Sequence, residues 1–178
     1  MTGNEIFLQY QAIATQWKNA LEHYSLEQLV RKPSEEDWSI GQVYLHIFGS
    51  ALHFHGKQAK LCLENTENAD GAMEDFAKSM FKQGSMPPDR IRVPPSPQYT
   101  PPQPENKEQI LALIANVEAM MQNLTEKADA ASVSGKTKHP RFGYVSATEW
   151  LQMIEMHFRH QLHQKGRIDE FLAADSAH

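Results

Sequence analysis

Large apolar residues recur at steps of three and four positions through four long segments of this chain, which is the spacing of one helix face. The first segment runs from about Asn4 to Ser25. Its apolar positions are Phe7, Tyr10, Ala14, Trp17, Leu21 and Tyr24. No segment shows the strict alternation of apolar and polar residues that is typical of a half-buried strand. The sequence therefore predicts an all-α fold.

Two of the other helices begin at capping boxes, in which a serine and a glutamine or glutamate three positions later satisfy each other's backbone donors. Ser39 predicts the start of helix two, which ends near Asn65, and Ser146 predicts the start of helix four, which ends near Ala174. Helix three is predicted from Lys107 to Asp129. The apolar positions are Ile40, Val43, Ile47, Phe54 and Leu61 in helix two, and Trp150, Ile154, Ile168 and Leu172 in helix four.

A proline-rich stretch separates helices two and three. Met86–Asn106, MPPDRIRVPPSPQYTPPQPEN, holds eight of the ten prolines, which excludes a regular helix or a central strand. We expect it to run extended along the surface, as a crossover between two helical hairpins or as a lid over the site. A short helix over Met73–Phe81 precedes it. The sequence predicts a single domain over residues 1–178, a four-helix bundle with a long Pro-rich crossover between helices 2 and 3.

Composition argues against several classes of protein. The net charge is −5 and no basic run is interleaved with aromatic residues, which disfavours nucleic-acid binding. No run approaches the roughly 18 apolar residues of a membrane span, and the N-terminus lacks the features of a secretory signal. Cys62 is the only cysteine, so no internal disulfide is expected and we interpret it as a packing residue. A reducing cytoplasm is the expected location.

Histidines are the unusual feature of the composition. Six of the nine fall in two windows, His46–His55 and His157–His163. At about 100° per residue, His157 lies in the middle of the apolar stripe of helix four, and Gln161 and Gln164 share that inward side. His160 falls on the flank and His163 towards solvent.

Helix two offers a facing polar edge. His46 lies beside its apolar face, followed on the same edge by Ser50, His53 and Lys57, whereas His55 falls about 120° from Val43 and is predicted to be a surface residue. Histidines from facing helices are typical of a divalent-metal site. The structural alternative is a pair of core histidines that are satisfied by hydrogen bonds.

Two motifs resemble a known family. Trp38–His46, WSIGQVYLH, resembles the second-helix signature of the DinB/YfiT-like superfamily. His157–Lys165, HFRHQLHQK, resembles its fourth-helix signature, and Phe142-Gly143 and Glu149-Trp150 extend the match. This superfamily is unrelated to the DNA polymerase that shares its name. The resemblance implies a four-helix bundle, often dimeric, so a homodimer is expected as one option.

The resemblance also implies a divalent metal, commonly Zn or Ni, that is held by three histidines. By position the ligands are His46 and His157, and the third position, one turn later, is Gln161. Either Gln161 is a weak third ligand, or His160 replaces it, or the metal is lost. Gln164 would orient a ligand, and Lys57 or Arg159 would meet an anionic substrate group.

Three functions follow as hypotheses. Some relatives use low-molecular-weight thiols, so the resemblance implies a metal-dependent thiol transferase or hydrolase with a small-molecule substrate. The second hypothesis is a metal-free protein that binds a small molecule or a partner at the same place. The third is a purely structural homodimer whose inward polar residues are satisfied by buried water.

Overall fold

The computed structural model describes residues 1–88 and 99–177 of the chain. Most of these residues are helical, which confirms the helical fold predicted from the apolar spacing. The helices are α1 (Gly3–Glu22), α2 (Leu26–Val30), α3 (Ile40–Ser50), α4 (Gly56–Glu64), α5 (Asp75–Gln83), α6 (Lys107–Ala130), α7 (Ala147–His160) and α8 (Leu162–Ser176).

Side-chain caps determine where the main helices begin. Both predicted capping boxes are present: Ser39 accepts a hydrogen bond from the Gln42 amide, and Ser146 accepts one from the Glu149 amide. Thr2 forms the same box at the start of α1. These caps satisfy backbone donors that have no partner within the helix.

The predicted second helix contains a five-residue π-helical segment, Ala51–His55, between α3 and α4. A π-helix has more residues per turn than an α-helix, so each residue advances by less than about 100°. Residues late in the segment and after it therefore lie on a different side of the helix from the one that α-helical spacing predicts. Two sequence predictions are wrong for this reason. Phe54 and Leu61 are 40% and 37% exposed rather than buried, and His55, predicted at the surface, is only 8% exposed.

The predicted fourth helix, Ser146 to Ala174, is in two pieces that meet at Gln161. The Gln161 amide still donates to the His157 carbonyl at 3.0 Å, and the Lys165 amide donates to the Gln161 carbonyl at 3.0 Å. The helical direction is thus kept through the junction, and α8 continues α7.

A two-stranded antiparallel hairpin, which the sequence analysis did not predict, precedes α7. Its strands are β1 (Lys136–His139) and β2 (Gly143–Ser146), with His139 paired to Gly143. Each strand has four residues, too few for alternation to stand out in the sequence. Gly143 has a φ of 79°, and a Cβ there would lie 2.7 Å from the Ala72 carbonyl oxygen, so the turn requires glycine.

An aromatic core holds α1, α3 and α7 together. The Trp17 indole nitrogen donates to the Phe158 carbonyl at 3.2 Å, and the Tyr44 hydroxyl donates to the Trp17 carbonyl at 2.5 Å. Phe48 of α3 meets Phe158 of α7 edge to face, with ring centroids 4.6 Å apart. All four of these side chains are fully buried. Because Phe48 and Phe158 are close in sequence to His46 and His157, the same packing brings those two histidines together.

The last part of the proline-rich stretch, which the structure describes, is hydrogen-bonded to the start of α3. The Gln42 side-chain amide donates to the Pro101 carbonyl at 2.8 Å, and the Ser39 hydroxyl donates to the Gln103 side-chain oxygen at 2.7 Å. The extended path predicted for Met86–Asn106 falls partly on residues 89–98, which lie outside the described residues.

Candidate functional site

His46 of α3 and His157 of α7 face each other between the two helices. Their ring centroids are 5.0 Å apart and the rings are perpendicular. Both residues are partly buried, and the Trp38 ring lies edge-on to His46 with ring centroids 5.0 Å apart. The two histidines that were predicted to face each other from different helices are therefore adjacent in the structure.

His55 is a third histidine at this place, and sequence reasoning missed it. Its ring centroid lies 6.1 Å from that of His157 and 5.9 Å from the ring of Trp150. The π-helical segment turns His55 inward from the position that a continuous α-helix would give it. His46, His55 and His157 are called the histidine cluster below.

Two nitrogens of the histidine cluster are buried without a hydrogen-bond partner among the described residues: Nδ1 of His55 and Nδ1 of His157. The other nitrogen of His157, Nε2, lies 3.3 Å from the side-chain amide nitrogen of Gln161. Buried polar atoms in proteins nearly always have a partner. The two Nδ1 atoms are thus the donors or acceptors that a ligand, a water or an ion would satisfy.

Burial keeps the histidine cluster neutral. Desolvation lowers the pKa of His46 to about 4 and, with help from the nearby charges of His139 and His46, lowers the pKa of His55 to about 4. The pKa of His157 is held well below its ordinary value by burial first and then by His46 and His55. Neutral imidazole is the form that binds metal ions and accepts protons.

The hairpin and α7 supply an aromatic wall beside the histidine cluster. His139 stacks on Phe142 with centroids 4.0 Å apart and lies 5.4 Å from Trp150. Its Nδ1 accepts hydrogen bonds from the backbone amides of Arg141 and Phe142, at 3.1 and 3.2 Å, which orients the ring. His139 is therefore part of this aromatic wall.

The remaining sequence candidates differ in their contacts with the histidine cluster. Gln161 contacts His157, as described above, and Gln164 is partly buried on α8. His160 makes its ring contact with the exposed His163, at 6.0 Å, although its charge also lowers the pKa of His157. Lys57 is exposed and lines a groove between α4 and α6.

Arg159, which the sequence offered as a second contact for an anion, has protein partners. Its guanidinium forms an ion pair with the buried carboxylate of Glu155 and donates to the Gly84 carbonyl. Desolvation of Glu155 makes this pairing necessary, because a buried carboxylate without a partner is costly. Arg159 therefore joins α7 to the end of α5.

The donor set fits a divalent metal in its chemistry. His46 and His157 present neutral imidazoles, one of them with a buried and unpartnered nitrogen, and Gln161 adds an amide next to the His157 ring. Among the described residues, no group of three His, Cys, Asp or Glu side chains is arranged to hold one ion. The third donor implied by position is an amide, which does not belong to those four residue types.

The sequence model of the DinB superfamily matches residues 9–164. The chain therefore belongs to the DinB superfamily. Searches of curated proteins and of solved structures found no significant match. Within residues 1–88 and 99–177, no helix combines the length and the hydropathy that a membrane crossing requires.

Proposed function

We propose that this protein is a divalent-metal-dependent enzyme that carries out thiol transfer or hydrolysis at a site between α3 and α7. One observation carries the proposal. His46 and His157 face each other with centroids 5.0 Å apart, and the Nδ1 atom of His157 is buried with no partner among the described residues. Such an arrangement is costly unless something binds there.

Each residue of the site has a role in this proposal. His46 and His157 would hold the metal, with Gln161 as third donor and His160 as the alternative, and Zn or Ni suits imidazole donors. A metal bound there acts as a Lewis acid that lowers the pKa of a neighbouring thiol or water. His55, buried and neutral, would offer its unpartnered Nδ1 for a hydrogen bond with the substrate.

The surroundings favour a small substrate with an apolar part. Phe54 is 40% exposed and contacts both His55 and Trp150, with centroids 5.2 and 5.5 Å apart. Together with Phe142 it offers aromatic surface beside the polar histidine cluster. A low-molecular-weight thiol and an apolar acceptor would satisfy both parts of this site.

The architecture proposed with this function is one domain over residues 1–178. Its four-helix bundle would consist of α1, α3 with α4, α6, and α7 with α8, and the segment between α4 and α6 would be the crossover. Contacts of α1 with α6 and α7, and of α4 with the same two helices, support this arrangement.

The direct test is thiol consumption with a panel of low-molecular-weight thiols and a generic electrophile, in the presence of Zn or Ni. We expect His157→Ala to lose at least tenfold in rate, and His163→Ala, which changes an exposed histidine of the same segment, to keep the wild-type rate. Full activity of a folded His46→Ala/His157→Ala protein would contradict the proposal.

A second function, metal-free binding of a small molecule, is favoured by Gln161. A neutral amide is a weaker ligand than imidazole, and this amide lies 3.3 Å from Nε2 of His157. The substitution Gln161→His separates the two functions through zinc affinity, measured by competition with a chromophoric chelator. Zinc binding by the variant alone would favour metal-free binding in the wild type, and equally tight binding by both proteins would exclude it.

A further inference from the structure

A groove of about 520 Å³ lies between α6 on one side and the π-helical segment and α4 on the other. The residues that line it are Leu52, His53, Gly56, Lys57, Lys60, Met120, Asn123, Leu124 and Lys127. None of these belongs to the histidine cluster, so the groove is separate from the proposed metal site. Its volume falls within the roughly 300–1,000 Å³ of small-molecule sites.

The two walls of the groove come from helices that run in the same direction. Near their starts, Ser39 before α3 bonds to Gln103 before α6, at 2.7 Å. Near their ends, the Gly135 amide after α6 donates to the Cys62 carbonyl of α4 at 2.8 Å. In chain order, Lys60 is the last lining residue of α4 and Lys127 is the last lining residue of α6. The same end of the groove therefore carries both of these lysines.

The floor of the groove is apolar and depends on a glycine. A Cβ at Gly56 would lie 2.1 Å from the sulfur of Met120, so only glycine allows this thioether to lie against the backbone of α4. Leu52 and Leu124 extend the apolar surface on either side. Apolar residues and lysines thus line the same groove.

The charge of the groove is opposite to that of the whole chain. None of the lining residues is acidic, although the chain carries a net charge of −5. Within the described part of the chain, Lys57 and Lys127 form no ion pair, and Lys60 has only an exposed partner, Glu64, at 3.6 Å. Exposed pairs of this kind are weak, so all three ammonium groups remain available to an anion.

We infer that this groove binds an anionic amphiphile, a medium-chain carboxylate whose chain lies on Leu52, Met120 and Leu124 and whose carboxylate lies among the three lysines. The apolar floor supplies the burial of the chain. The lysines supply charge-assisted hydrogen bonds to the carboxylate. This binding is independent of the function proposed for the histidine cluster.

Calorimetric titration with decanoate, below its micelle concentration, tests the inference on the full-length protein. We expect saturable binding at least tenfold tighter than that of decan-1-ol, which has the same chain and no charge. The Lys57→Ala/Lys127→Ala variant should bind decanoate at least fivefold more weakly. The matched control, Lys82→Ala/Lys138→Ala, removes two exposed lysines outside the groove and should bind as the wild type does.

Three results would overturn the inference. The first is a lack of saturable decanoate binding to the wild type. The second is equal affinity for decanoate and decan-1-ol, which would show that the lysines do not select the anion. The third is equal weakening in the groove variant and in the control variant, or none in either, which would place the binding elsewhere on the surface.

Discussion

At the scale of single residues, the histidine cluster is held neutral by burial and not by hydrogen-bond partners. His55 is 8% exposed, and its Nδ1 has no partner among the described residues. In the folded protein its pKa is lowered from 6.5 to about 4. As the pH falls from 6.5 towards 4, His55 binds a proton in the unfolded chain but stays neutral in the folded protein. The stabilising contribution is therefore present above pH 6.5 and is lost as the pH falls towards 4.

This linkage predicts a weaker acid sensitivity for His55→Leu. Between pH 7 and pH 5, a single histidine with this shift removes about 2 kcal/mol from the free energy of unfolding. Over the same pH interval, we expect the free energy of unfolding of the variant to fall by about 2 kcal/mol less than that of the wild type. The measurement is urea unfolding of both proteins at the two pH values, with a chelator present. His163→Leu, at an exposed position, should lose as much as the wild type, and equal losses in all three proteins would contradict the account.

At the scale of elements, the π-helical segment explains which site residues could be predicted and which could not. His46 lies before this segment and His157 on another helix, so uniform helical rotation placed both correctly. His55 ends the segment, and the same rotation put it on the wrong side. Phe54 and Leu61 are large and apolar, so their spacing favours the side of the helix that is in fact exposed. The small residues Ala59 and Cys62 are the ones that are buried.

The extra residue of the π-helical segment should be dispensable. Deleting His53, which is exposed, would convert the segment to α-helix and leave the positions after it in phase. We expect this deletion to change the free energy of unfolding by at most about 1 kcal/mol. Deleting the exposed Asn116 from the regular helix α6 would instead rotate half of that helix by about 100°. It should cost more than about 3 kcal/mol, because core side chains leave the core. Thermal unfolding compares the two deletions, and equal losses would contradict the π-helical phase shift.

Two glycines of α3 should respond in opposite ways to alanine. A Cβ at Gly41 would lie 2.5 Å from the Leu29 carbonyl oxygen and 2.5 Å from Pro104, whereas a Cβ at Gly49 meets nothing within 4 Å. We expect Gly41→Ala to lower the free energy of unfolding by about 2 kcal/mol through overpacking. Gly49→Ala should raise it by up to about 1 kcal/mol through helix propensity. Chemical denaturation gives both values, and a stabilising Gly41→Ala would show that Pro104 does not pack on α3 as described.

At the scale of the whole molecule, helices predicted from apolar spacing and serine caps meet through contacts that no local pattern encodes. The edge-to-face pair of Phe48 and Phe158 sets α3 against α7, and this packing decides that His46 meets His157. The hairpin before α7 was too short to be predicted, although it contributes His139 to the aromatic wall. Family membership could be predicted from two motifs, of which the first contains the Ser39 cap and His46 and the second contains His157 and Gln161.

Metal content decides whether His46 and His157 bind a divalent metal. The measurement is the number of metal ions per chain by mass spectrometry, on protein purified without an affinity tag and incubated with Zn or Ni. We expect about one ion per chain in the wild type and in His163→Ala, and none in a folded His157→Ala protein. An absence of metal from the wild type, or its retention in His157→Ala, would contradict the account.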